Sequence, residues 1–223
     1  MNRTRIGLAV LLIGALAVGY SLLREQMTAD SHRQVRQLIL HYTLKRSDRP
    51  VVVLGDSNSE ASTLPRMLCG HPIVNAGLNG ASTASDLGTW LIEALDGKQA
   101  AAIVVSLGTN DALNGRSAQQ FQANYSALLA QLAKHTPHLF VLAIPPIEVL
   151  GRMSLERQKE VTGRVDDLNA GLPALAQKIG ASFIALPAMP TPHTIDGLHL
   201  DGAGYSVWEK AILEKVSGAC NSN

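Results

Sequence analysis

The chain has little of what several function classes require. Aromatic residues make up 4% of the 223 positions, too few for an extended platform that stacks long sugar chains, although a pocket for one acyl group needs few. The formal net charge is +1, so no basic surface points to a nucleic-acid partner. Of the seven histidines, His32, His41, His71, His135, His138 and His193 show no metal-ligand spacing, and no metal or other cofactor is expected. Internal repeats, low-complexity segments and a phosphate-cradling glycine loop are all missing. Cysteine is limited to Cys69 and Cys220. In an exported protein such a pair either forms a disulfide, worth about 4 to 5 kcal/mol for so long a loop, or remains two unrelated thiols.

What is present falls into three segments. Arg3 and Arg5 precede an uncharged apolar run of 18 residues, Ile6 to Leu23, which just reaches the length of a spanning helix. The positive end is expected to stay in the cytoplasm, leaving everything after Arg24 outside it. The rival reading of residues 1–24 is a cleaved signal peptide with an apolar core from Ile6 to Gly14 and a small-residue site at Ala15-Leu16-Ala17. Both readings export the protein, the first with a membrane as partner. Residues 25–49 turn charged and polar, and Val35, Leu38, Ile39 and Tyr42 recur at helical spacing, which predicts an amphipathic spacer helix docked on the following domain. Its basic residues, Arg33, Arg36, Lys45 and Arg46, are diluted by Asp30 and Asp48, and a solvated face accounts for them. Residues 50–223 remain for one globular domain, within the usual size range.

That domain alternates apolar runs with helical patterns. Strands are predicted at 51–54, 72–75, 102–107, 139–144 and 182–186, and helices near 82–96, 117–134, 153–179 and 202–217. Val165, Leu168, Leu172, Leu175 and Ile179 give the third of these helices a continuous apolar stripe. This order predicts an α/β fold of three layers, a doubly wound parallel sheet of about five strands covered on both faces.

The strand ends carry the chemistry. Val51-Val52-Val53-Leu54 runs into Gly55-Asp56-Ser57, and Ala102-Ile103-Val104-Val105-Ser106-Leu107 runs into Gly108-Thr109-Asn110-Asp111. Near the carboxyl terminus, Ile195-Asp196-Gly197-Leu198-His199-Leu200 sets an acid three residues before a histidine, and Val74-Asn75-Ala76-Gly77-Leu78-Asn79-Gly80 supplies a further glycine loop. Ligands of open α/β sheets bind at such carboxyl ends, so a hydroxyl there is a candidate nucleophile. The four blocks, from about Val51 to Trp208, resemble the SGNH hydrolases, the GDSL esterase and lipase superfamily.

By that resemblance the fold is flavodoxin-like and the protein is a serine hydrolase. Ser57 is the nucleophile, Asp196 and His199 complete the triad, and the Ser57 N–H, Gly80 and Asn110 form the oxyanion hole. Gly77, three residues before Gly80, is its rival for the glycine role. Asp201, next to Gly202-Ala203-Gly204-Tyr205, is the rival acid and reads instead as the cap of the last helix. Asp56 and Asp111 read as loop-bracing acids.

The chemistry needs these residue types. Histidine can take the serine proton near neutral pH, aspartate orients the ring and stabilises the imidazolium, and the donors meet the negative oxygen of the tetrahedral intermediate. The first block departs from the family, which usually has an apolar residue after the serine. Asn58, Ser59 and Glu60 are expected to make the entrance polar and to favour short acyl groups. The expected activity is hydrolysis of short acyl esters, acetyl above all, of a saccharide or small molecule. The alternatives are an acetyltransferase of the same fold acting on cell-envelope polysaccharide and a catalytically silent glycan-binding domain.

Overall fold

A computed structural model describes residues 3–148 and 154–220, without the side chains of residues 3–18, 20 and 25. The chain divides into two units, residues 1–39 and 40–223. In the first, the described residues belong to helix α1, Arg3–Arg46. The apolar run 6–23, expected to span a membrane or to be cleaved, falls mostly on residues whose side chains lie outside the described set. Among the described residues no helix is long and apolar enough to cross a membrane.

The second unit is built on a six-stranded sheet. Its strands are β1 (Val51–Gly55), β2 (Met67–Leu68), β3 (His71–Gly77), β4 (Ala102–Ser106), β5 (Leu139–Leu142) and β6 (Ser182–Ile184), and their spatial order is β2-β3-β1-β4-β5-β6. All neighbouring pairs are parallel except β2 with β3. The helices are α2 (Ser57–Glu60), α3 (Leu87–Leu95), α4 (Thr109–Leu113), α5 (Ala118–Leu132), α6 (Leu155–Ile179) and α7 (Gly202–Cys220). The five predicted strands are all found. The sixth, β2, has two residues, too few to leave a periodic signal.

Alternation along each strand deals the core to two faces. Val52, Leu54, Ile103, Val105 and Val141 join Leu91 of α3, Leu129 of α5 and Leu168 of α6 in one buried cluster. Val51, Val53, Val104, Phe140 and Leu142 join Trp208, Ile212 and Val216 of α7 in the other. Burial on both faces explains why the strands read as continuous apolar runs. Leu40 and Leu44, at the end of α1, enter the first cluster. Within the second unit, Tyr42 of the predicted stripe is exposed, and Leu40 and Leu44 are buried instead. Both sets satisfy helical spacing, so periodicity could not choose between them.

Local signals fix the helix ends. Ser117 and Gln120 form a reciprocal capping box on α5. Ser154 caps α6, which stops at Gly180 in a left-handed conformation.

Cys69 and Cys220 form a disulfide across a sequence separation of 151, with their Cα atoms 6.2 Å apart. It ties the loop between β2 and β3 to the end of α7. Reduction, or Cys69→Ser with Cys220→Ser, is expected to cost about 4 kcal/mol of stability. Urea unfolding with and without reductant measures it, and unchanged midpoints would show that the bridge does not form in solution.

Candidate active site

The site forms where the sheet reverses its winding. β1 lies between β3 and β4, and Gly55 pairs in register with Gly77 on one side and with Ser106 on the other. Three strands therefore end at one level, and the loops that follow carry Ser57, Gly80 and Asn110. This is the switch point at which doubly wound sheets bind ligands.

Ser57 opens α2. Asp56 caps this helix, its Oδ1 accepting from Asn58 N–H at 3.0 Å. The helix lies directly on the strand ends, and two glycines permit it. A Cβ at Gly55 would fall 2.0 Å from Ser59 Oγ, and one at Gly77 would fall 2.2 Å from the Glu60 nitrogen. Asn75 fastens the far end of α2, its Nδ2 donating to Ser59 O at 2.7 Å while its Oδ1 accepts from Gly77 N–H at 2.9 Å.

That last contact bears on the choice between the two glycines. The Gly77 N–H is engaged, whereas among the described residues the Gly80 N–H has no acceptor. Gly80 also has a positive φ of 76°, a conformation that glycine enters without steric cost. Asn110, in the short α4, donates from Nδ2 to Ala81 O at 2.9 Å, and the second hydrogen of that amide remains for a ligand. Asp111, fully buried, braces the same loop by accepting from the Thr83 N–H at 3.0 Å and the Thr83 hydroxyl at 2.7 Å. Arg116 Nε lies 2.6 Å from Asp111 Oδ1 without hydrogen-bond geometry. This contact is an ion pair only.

Asp196 and His199 share one tight turn. Asp196 Oδ2 meets His199 Nδ1 at 2.8 Å, and Asp196 Oδ1 accepts from the His199 N–H at 2.9 Å and the Leu198 N–H at 3.1 Å. Partial burial opposes ionisation of Asp196, but the hydrogen bonds from the His199 N–H, the imidazole and the Leu198 N–H outweigh it and hold the carboxyl at about 2. Both side chains stay partly exposed, 44% for His199 and 30% for Asp196. Among the described residues no hydrogen bond closes Ser57 Oγ to His199. Such contacts are often long without substrate and tighten in the complex. Asp201 accepts from the Ala203 and Gly204 N–H groups, each at 2.9 Å, and so caps α7.

The first block requires a correction. Asn58 and Ser59 were expected to line a polar entrance, yet they are 2% and 0% exposed. As the second and third residues of α2 they turn inward, and only Glu60 stays half-exposed, accepting from Asn79 N–H at 2.6 Å.

One cluster was missed by the sequence reading. Glu148, after β5, accepts from the His193 and Thr194 N–H groups and the Thr194 hydroxyl, and its own N–H donates to Gly197 O at 3.0 Å. Burial works against the charge on Glu148, but those donors hold its carboxyl below the ordinary range. His193 is 5% exposed, with Nδ1 2.8 Å from Pro190 O and Nε2 3.1 Å from Pro146 O. The cluster anchors the turn that carries Asp196 and His199. No sequence signal links residues 148 and 193, because only the fold makes them neighbours.

Burial pushes the Asp56 carboxyl up to about 6, although the Asn58 N–H, the Thr109 side chain and the charge of His199 all favour its ionised form. The native state therefore keeps a proton that the unfolded chain releases near 3.8. Stability contributed by this group falls as pH rises from about 4 to 6, by up to about 3 kcal/mol. Asp196 acts oppositely in a lower window, losing its contribution as pH falls from about 4 towards 2. Asp56→Asn is expected to gain on wild type between pH 4 and pH 7. Urea midpoints at both values measure this, and a wild-type-to-variant difference that does not change with pH would contradict it.

The sequence profile of the GDSL-like lipase/acylhydrolase family matches residues 46–207. No curated protein sequence matches the chain. Among solved structures, a Streptococcus pneumonia protein provisionally named as a platelet activating factor is 24% identical, with a TM-score of 0.68 over 90% of this chain and 99% of that one. A carbohydrate acetylesterase from Sinorhizobium meliloti is 22% identical, with a TM-score of 0.63 over 77% and 100%. An aryl esterase from M. smegmatis is 16% identical, with a TM-score of 0.64 over 76% and 99%. These likenesses establish the fold. The profile spans every block from Ser57 to His199, and by that match the chain belongs to the GDSL-like lipase/acylhydrolase family, the SGNH hydrolases.

Proposed function

We propose that the protein is an extracytoplasmic serine esterase that removes short acyl groups, acetyl above all, from a saccharide or small molecule. The observation that carries this reading is the Asp196 carboxylate bound to His199 Nδ1 at 2.8 Å, which leaves Nε2 to serve as base. Ser57 Oγ attacks the ester carbonyl and gives its proton to Nε2. The negative oxygen meets the Ser57 and Gly80 N–H groups and the second Nδ2 hydrogen of Asn110. Nε2 then protonates the leaving alcohol and takes a proton from water, the hydroxide attacks the acyl carbon, and Nε2 returns that proton to Ser57 Oγ as the acid leaves. With its carboxyl at about 2, Asp196 stays ionised throughout.

The preference for short acyl groups rests on Glu60, whose carboxylate sits on Asn79 beside Gly80. A long apolar chain crossing it would strip water from a charged group, and even neutral unsatisfied groups cost roughly 1 to 3 kcal/mol. The acetylesterase among the structural neighbours is consistent with this. The Cys69–Cys220 disulfide suits an oxidising compartment, and the Arg3 and Arg5 run before residues 6–23 suits an amino-terminal anchor.

Ser57→Ala and His199→Ala are each expected to lower ester hydrolysis by roughly 10³-fold or more, and Asn110→Ala by roughly 10²-fold or more. Asp196→Asn should be severely slowed, whereas Asp201→Asn should keep its rate and lose about 1 kcal/mol of stability. Assays on acetyl, butyryl and octanoyl model esters test both parts. Full activity in Ser57→Ala sinks the nucleophile, an Asp201→Asn variant that is the inactive one sinks the choice of acid, and octanoyl preference sinks the short-acyl reading. Retention on membranes through alkaline washing is expected of an anchor, while release with a new amino terminus at Val18 would show a cleaved signal peptide.

A further inference from the structure

Asn58 stands where the family resemblance leads one to expect an apolar residue, and it is almost wholly buried, at 2% exposure. Every polar group it has is engaged. Its N–H donates to Asp56 Oδ1 at 3.0 Å, and its carbonyl accepts from the Tyr205 hydroxyl at 3.0 Å. Its side-chain Oδ1 accepts from the Leu200 N–H at 3.0 Å, and its Nδ2 donates to Leu198 O at 3.3 Å. The two backbone groups gripped by the side chain lie on either side of His199. Turning the amide over would set donor against donor and acceptor against acceptor, so the partners fix its orientation.

We propose that Asn58 is a positioning residue, whose amide clamps the backbone on both sides of His199 and so sets the imidazole at the nucleophile that directly precedes it. The proposal rests on the triad reading above. The other restraints on this histidine, Asp196 Oδ1 on its N–H and the Ile195 N–H on its carbonyl at 2.8 Å, all come from within the turn. Glu148 fixes that turn to the loop after β5. Through Asn58 the turn is fixed to α2, the helix that carries Ser57. An apolar residue of similar size would fill the space and leave both backbone groups unpaired. Aspartate would keep the bond to the Leu200 N–H and face the Leu198 carbonyl with a second acceptor. Only a primary amide of this length offers one donor and one acceptor at the required places.

The test is a double-mutant cycle between Asn58 and His199 in the full-length chain, read as kcat and KM on an acetyl model ester. Asn58→Leu and Asn58→Ser are both made, so that the outcome does not hang on one variant folding, and melting curves confirm folded protein. In the wild-type background each is expected to lower kcat about 10- to 100-fold with KM changed less than about twofold, since an interaction with the base is expressed in the transition state. In the His199→Ala background the same substitutions are expected to change the residual rate less than about twofold, because no base remains to be positioned. An equal fold-loss in both backgrounds would show a merely structural role, and a rise in KM at constant kcat would place Asn58 against substrate. Either result overturns the proposal and leaves the triad standing. A His199→Ala variant with the wild-type rate would remove the triad reading and this proposal with it.

Discussion

The site depends on a close approach of backbone to backbone. Helix α2, four residues long, rests on the ends of β1 and β3, and this contact exists because positions 55 and 77 carry no side chain. A methyl group at either place would overlap α2 itself. So short a helix has no stability of its own, and its geometry comes from what it touches. Ser57 therefore inherits its position from the register of three parallel strands.

From that seat two asparagines connect the rest of the machinery. Asn75, in β3, holds the end of α2 and the Gly77 N–H at the start of the loop that carries Gly80. Asn58, within α2, reaches 140 and 142 residues along the chain to the turn bearing His199. Helix α2 is thus tied to the strand that leads to Gly80 by one amide and to the turn bearing His199 by another. Amides suit this task because each supplies a donor and an acceptor without introducing charge. Next to Asn58, the buried Asp56 has its carboxyl pushed up to about 6 by burial while serving as the α2 cap.

The physical reach of each signal explains how far the sequence could be read. Strands buried on both faces leave apolar runs, so β1, β4 and β5 were legible, and the strand ends pointed to Ser57 and Asn110. The Asp196 and His199 pair was legible because both residues lie in one turn. What escaped was held by tertiary contact alone. β2, α2 and α4 are too short for a period to repeat, Asn58 appeared polar and therefore exposed, and Glu148 meets His193 only after folding. In α1, two overlapping helical stripes competed, and the sheet selected Leu40 and Leu44.

The central claim is that Ser57 carries the acyl group during turnover. Acid quenching of the enzyme while it turns over an acetyl ester, followed by peptide mapping by mass spectrometry, tests it most directly. An acetyl group is expected on Ser57 of the wild-type enzyme and none on Ser57→Ala. Acetyl on Ser59 or another residue, or undiminished hydrolysis by Ser57→Ala with no covalent adduct, would contradict it.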